Sequence, residues 1–133
     1  MKYNFSLQWH ITAECDQNCA HCYIRDSRTY SNELENTLNL DQCKEVINSH
    51  IAFSKKVEAQ ANIIFTGGDP LLRENFFELA EYAQQEKVTF SVLGNPYHLN
   101  KENVSKLKNL GIQSYQISID GRSETHDYFR KSG

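Results

Sequence analysis

The 133-residue sequence predicts an α/β fold, a partial (β/α) barrel of about four parallel strands and three helices. Three observations predict it. Strand, loop and helix follow one another three times and end in a fourth strand, the order that makes a parallel sheet with helices packed against it. The strands place apolar residues at alternate positions, and the other face carries Ser6, Gln8, His10, Asn62, Thr66, Thr89, Ser91, Ser114, Gln116, Ser118 and Asp120. An ordinary (β/α) barrel fills its interior with bulky branched side chains, so a polar inner face implies a lumen for water or a polar ligand. Finally, the residue groups best suited to chemistry follow the C-terminal ends of strands, where α/β folds place their sites.

The elements follow in order. Phe5 to Ile11 alternates strictly, with Phe5, Leu7, Trp9 and Ile11 on one face, which is the period of a strand. Residues 25 to 37 are polar and read as a loop; Arg25 and Arg28 on it are solvated, or tune a neighbouring charge or meet an electron donor. Asn39 and Gln42 form a capping box, Leu38 and Cys43 suit a hydrophobic staple, and Cys43, Val46, Ile47 and Ile51 make one helical face. Asn62 to Thr66 is the second strand, and Arg73 to about Glu86 the second helix, with Phe76, Leu79, Ala80 and Ala83 inward. Val88 to Leu93 is the third strand. Asn100 caps a third helix with Val104, Leu107 and Leu110 inward and Gly111 as its C′ residue. The fourth strand runs from Gln113 to Asp120, and a helix start follows at Ser123.

Cys15, Cys19 and Cys22 put three thiols on the short loop after the first strand. Three thiolates there can hold one metal centre. Iron–sulfur clusters usually take four cysteines, so three suggest a cluster with one iron open to an exogenous ligand. Zinc would want a fourth protein ligand, and His21 sits where it could hardly reach the same ion. A disulfide would leave an odd thiol. Cys43 falls in the packing stripe and reads as a buried structural thiol.

Composition bounds the rest. With 39% apolar and 23% charged residues and a net charge of −3, the chain is one domain at most, and no basic stripe supports nucleic-acid binding. No apolar run suits a membrane span or a signal peptide. Thiols without a secretory signal suit a reducing compartment, which implies a cytoplasmic protein.

The spacing CxxxCxxC, with His21 before the third cysteine and Tyr23 after it, resembles the signature of radical SAM enzymes. Gly67-Gly68-Asp69-Pro70 resembles that family's Gly-Gly-Glu-Pro motif, with Asp in place of Glu. The segment Ile117-Ser118-Ile119-Asp120-Gly121, with His126, Asp127 and Arg130, resembles the peptide maturases of the family that carry a SPASM or twitch extension. The resemblance implies a 4Fe–4S cluster on Cys15, Cys19 and Cys22, whose open iron chelates S-adenosylmethionine (SAM). It implies SAM contacts from Gly67, Gly68, Asp69, Pro70, Asn95, Ser118, Asp120, Tyr23 and Arg130; for Asn95 a turn-forming role is equally open. The implied reaction is reductive cleavage of SAM to a 5′-deoxyadenosyl radical, which abstracts hydrogen from a peptide or protein substrate. The electron would come from a low-potential donor of flavodoxin or ferredoxin type. The alternatives are a non-catalytic metal-binding module and a peptide-binding module.

A full barrel needs roughly 250 residues. The expectation is therefore that residues 1–133 are the N-terminal part of a radical SAM core, without its later strands and SPASM or twitch extension.

Overall fold

The computed structural model describes residues 3–25 and 30–131. Four strands form one sheet in the order β1-β2-β3-β4, every neighbouring pair parallel: β1 Asn4–Thr12, β2 Gln60–Gly67, β3 Thr89–Leu93 and β4 Tyr115–Gln116. The expected α/β architecture is present, with each strand laid beside the previous one. The helices are α1 Tyr30–Glu35, α2 Leu40–Lys56, α3 Phe76–Gln85, α4 Lys101–Asn109 and α5 Ser123–Arg130; short 3-10 turns at Pro70–Leu72 and Pro96–His98 follow β2 and β3.

Local chemistry sets the helix starts. The Asn39 side chain accepts the Gln42 amide at 2.9 Å while the Gln42 side chain accepts the Asn39 amide at 3.0 Å, the expected capping box. Asn100 caps α4 through the Asn103 amide in the same way. Gly111 takes φ +74° just past α4, a conformation that Gly adopts without steric cost.

One face of the sheet makes the core. Phe65 meets Phe76 edge-on at 5.7 Å and Phe90 at 5.8 Å, and all three are buried with Ile63, Val92, Ile47 and Cys43. The four residues expected inward on α3, Phe76, Leu79, Ala80 and Ala83, are completely buried. The opposite face is a polar ladder. Asn62 donates to Ser6 Oγ at 2.9 Å and accepts from Thr89 Oγ1 at 3.0 Å, and Ser114 reaches Ser91 at 3.0 Å. Ser6, Asn62 and Thr89 sit in register across neighbouring strands, so these polar positions satisfy one another.

Five expectations are corrected. The polar stretch 25–37 is not all loop, because it contains α1; Arg28 lies outside the described residues. The second helix begins at Phe76 rather than Arg73, because Asp69 and Pro70 first start a 3-10 turn. β4 ends at Gln116, not Asp120: β3 turns away at Gly94, which donates to the Gln116 carbonyl at 3.2 Å, and leaves residues 117–120 no neighbour to pair with. Leu38 is exposed and meets Cys43 through its carbonyl, which accepts the thiol at 3.8 Å, rather than through a staple. On α2 the buried stripe is Cys43, Ile47, His50 and Ser54, with His50 Nε2 donating to the Asn62 carbonyl at 3.0 Å.

Candidate active site

The C-terminal tips of β1 and β2 are laced together past the end of their ladder. Gly68 donates its amide to the Thr12 carbonyl at 2.8 Å, and Asp69 donates to the Glu14 carbonyl at 2.8 Å. Only glycine allows this approach. A Cβ on Gly67 would stand 2.1 Å from the Thr12 carbonyl oxygen at φ +126°, and one on Gly68 would stand 2.0 Å from that of Glu14. The lacing fixes where the chain enters the cysteine loop.

The loop is held from three sides. The Cys22 amide donates to the Cys19 carbonyl at 3.2 Å, which makes a tight turn. Arg25 donates to the Gln17 carbonyl at 2.6 Å, so this arginine braces the loop from within. From across the molecule, the Ala20 amide donates to the Phe129 carbonyl of α5 at 2.7 Å, and the Phe129 ring meets His21 edge-on at 5.1 Å. Arg130 of α5 pairs with Asp120 through Nε to Oδ2 at 2.6 Å and Nη2 to Oδ1 at 3.2 Å.

These tips surround a cleft of about 500 Å³ on the polar side of the sheet. Cys15, Cys19, Cys22, Tyr23, Gly67, Gly68, Asn95, Ser118 and Arg130 line it together. Asp69, Pro70 and Asp120 do not. Asp69 and Pro70 are completely buried, with Asp69 Oδ1 accepting the Leu71 amide at 3.0 Å to cap the 3-10 turn. Asp120 is turned to Arg130, with His126 and His21 within 3.7 and 4.0 Å. Asn95 caps the second 3-10 turn, its Oδ1 accepting the Tyr97 amide at 2.9 Å, while the residue still borders the cleft. Tyr23 Oη lies 3.2 Å from His10 Nε2.

Of the other lining residues, His10 belongs to the expected polar inner face and His126 and Asp127 to the expected motif, without a contact assigned to them, while Tyr97 was passed over. His10 had a usable signal, since it ends the polar face of β1. Tyr97 follows a strand tip by four residues.

Two sulfurs on one tetrahedral zinc stand about 3.8 Å apart, given bonds near 2.3 Å. Among the described residues, the three sulfurs as placed are not all within 4.8 Å of one another. Burial raises the Cys15 thiol above its ordinary range, opposed by the Gln17 amide and reinforced by Asp16, Asp69 and Cys19. Positive charge is near at hand: Arg130 Nη1 lies 3.8 Å from the Cys19 sulfur. Cys43 stands apart, fully buried in the core and 3.3 Å from the Arg73 guanidinium.

A family model described as the radical SAM superfamily matches residues 9–133. The chain belongs to the radical SAM superfamily. As a radical SAM protein it has curated relatives of two kinds. It is 33% identical over 122 residues to Fe-coproporphyrin III synthase of Methanosarcina barkeri, covering 92% of this chain and 29% of that protein. It is 32% identical over 122 residues to the sporulation killing factor maturation protein SkfB of Bacillus subtilis, covering 90% of this chain and 27% of that one. Streptococcus suis SuiB, solved with precursor peptide SuiA and with S-adenosylmethionine, superposes with TM-scores of 0.66 and 0.65 at 15% and 14% identity. Those matches cover 97% and 98% of this chain and 27% of SuiB, and show a shared fold. The chain thus spans under a third of the length of these proteins. Radical SAM enzymes use a 4Fe–4S cluster and SAM, and a three-thiol loop facing a cleft that two half-buried glycines also line suits both. No helix of the described residues is long and apolar enough to cross a membrane.

Proposed function

We propose that this chain is the cofactor-holding, N-terminal part of a radical SAM core. The observation that carries the reading is that three thiols from the tip of β1 and the Gly67-Gly68 backbone from the tip of β2 face one cleft. Cys15, Cys19 and Cys22 would hold the 4Fe–4S cluster as thiolates. Gly67, Gly68, Asn95 and Ser118 would hold SAM, with Tyr23 and Arg130 at the rim. Asp69 and Pro70 would act by shaping the turn that presents the glycines, and Asp120 by fixing Arg130. When bound, the cluster and SAM supply one-electron cleavage of the sulfonium and hydrogen abstraction from a substrate. The protein's own part is to orient both and to shield the cleft. Later strands would pair on the β4 edge, where Ile117 and Ile119 stand exposed.

A peptide or protein is the first reading of the substrate, supported by the likeness to SkfB and to SuiB with its precursor peptide. A tetrapyrrole is the second, supported by the likeness to Fe-coproporphyrin III synthase. The electron would come from a flavodoxin- or ferredoxin-type donor. The test is SAM cleavage by the anaerobically reconstituted chain under dithionite. 5′-Deoxyadenosine should form, and Cys15→Ala should form none; a cluster-loaded chain that never cleaves SAM would defeat the proposal.

A further inference from the structure

The tip of β3 is held by a side chain that does not itself line the cleft. The β3–β4 ladder ends with the bond from the Gly94 amide to the Gln116 carbonyl, so Asn95 lies beyond it. Tyr115 of β4 reaches past that end, and its phenol donates to the Asn95 carbonyl at 2.8 Å. Gly94, Asn95, Pro96 and Tyr97 border the cleft, whereas Tyr115 packs against the core behind them.

Two further observations show that the hydroxyl, and not the ring alone, is fitted to this place. The first is Gly94. A Cβ there would stand 2.6 Å from Tyr115 Oη and 3.3 Å from Asp69 Oδ1, so this glycine makes the room in which the hydroxyl sits. Its φ is not positive, so space rather than backbone conformation is what calls for glycine. The second is protonation. Burial, and after it the Asp69 carboxylate, pushes the Tyr115 phenol up, which keeps it a neutral donor across the working pH range. A buried hydroxyl costs stability unless it is hydrogen-bonded. Phenylalanine would fill the same apolar space without that cost.

Asn95 is the junction on which this contact acts. Its Oδ1 accepts the Tyr97 amide at 2.9 Å, and its Nδ2 reaches Asp16 Oδ1, beside the cysteine loop, at 3.5 Å. His98, at the end of the same turn, stands 2.7 Å from Asp16 Oδ2. Tyr115 adds the tether from β4. Ser118 follows shortly on the same segment and lines the cleft opposite Asn95's turn.

We propose that Tyr115 is a positioning residue for SAM, its phenol fixing Asn95 and the β3 tip in register with Ser118. The role rests on the SAM site proposed above, in which Asn95 and Ser118 both hold the ligand. Tyr115 acts through Asn95 and touches no ligand itself.

Tyr115→Phe keeps the ring and removes one hydroxyl. SAM affinity is measured by equilibrium dialysis on the anaerobically cluster-loaded chain without reductant, so that no turnover intervenes. Affinity should fall about tenfold at unchanged iron content, the loss typical of a group that orients a ligand-holding residue. Under dithionite the KM for SAM should rise while kcat holds. The Tyr97 amide, which Asn95 caps, should exchange faster with deuterium. Gly94→Ala separates positioning from packing. Alone it should lower the Tm by crowding the hydroxyl. Combined with Tyr115→Phe, most of that loss should return, because the nearest ring atom lies 3.4 Å from the new methyl, yet SAM affinity should stay low. Wild-type SAM affinity in Tyr115→Phe would overturn the role, even with faster Tyr97 exchange, since the hydroxyl would then brace only the turn. Loss of iron in step with SAM would overturn it too, by showing a general loosening. A wild-type chain that loads a cluster but binds no SAM would sink the proposed function and this role together, whereas equal SAM binding by wild type and Tyr115→Phe would sink this role alone.

Discussion

Arg130 places a guanidinium nitrogen 3.8 Å from the sulfur of Cys19, a residue 111 positions earlier in the chain. Donors aimed at cluster sulfurs are one of the levers on reduction potential. Arg130→Met should therefore still load a cluster but shift its potential to more negative values, as read by spectroelectrochemistry. Its Asp120 partner supplies a pH test. The hydrogen bond from Arg130 holds the Asp120 carboxyl below its usual range, so the pair contributes fully above the unfolded value of about 3.9 and is lost as pH falls through the lowered one. Acid titration followed by near-ultraviolet dichroism should show α5 loosening in that window. In Arg130→Met the step should be absent.

Gly68→Ala should damage the cysteine loop as well as SAM binding. From sequence, the glycine leaves room for a ligand. In the structure the Cβ position is taken by the Glu14 carbonyl, one residue before Cys15. Relieving that contact means moving backbone, at a cost of about 3 kcal/mol. The expected outcome is a lowered Tm together with reduced iron content. Full cluster loading with SAM binding alone lost would show that the β1–β2 lacing yields freely.

Arg73 and Cys43 should separate stability from cofactor chemistry. The buried Arg73 guanidinium donates to the carbonyls of Ile11 and Leu38 and to Asn75 Oδ1, and so ties β1 to the entry of α2. Arg73→Met strands the buried Ile11 carbonyl and should cost about 3 kcal/mol in urea unfolding. Cys43→Ala should cost about 1 kcal/mol and keep the cluster's visible absorbance. Cys15→Ala, Cys19→Ala and Cys22→Ala should abolish it.

Cluster loading should strengthen with rising pH. Burial holds the Cys15 thiol above its ordinary range, so at neutral pH the free loop is protonated there and must release a proton to bind metal. Between pH 7 and 8 the apparent affinity should rise by up to about tenfold for each thiol deprotonated. An affinity flat over that interval would mean that Cys15 is already a thiolate.

What the sequence disclosed was local in origin. The Asn39–Gln42 box, the inward stripe of α3 and Gly111 each depend on neighbours within a few residues, and each stands where expected. Polar alternation likewise disclosed the cleft face, because β1, β2 and β3 stack in chain order. The remainder depends on pairing across long stretches. Asp69 looks like a ligand group in a Gly-Gly-Asp-Pro run, yet capping the next turn draws its carboxylate inward. His98 has no pattern of its own and gains meaning only when the β3 tip meets Asp16. Arg73 reads as a helix opening, while its guanidinium reaches 62 residues back to Ile11.

The latch between Ala20 and Phe129 also orders events in time. Each strand pairs with the one made before it, so the sheet can grow as the chain is synthesised. The cysteine loop cannot be finished that way. At about 5–20 residues per second, Arg130 follows Cys19 from the ribosome by roughly 5–20 s. During that interval three thiols emerge on a loop with no clasp from α5, open to oxidation or to the wrong metal. The cysteine loop therefore gains its clasp only once α5 has been made, about 110 residues after Cys19.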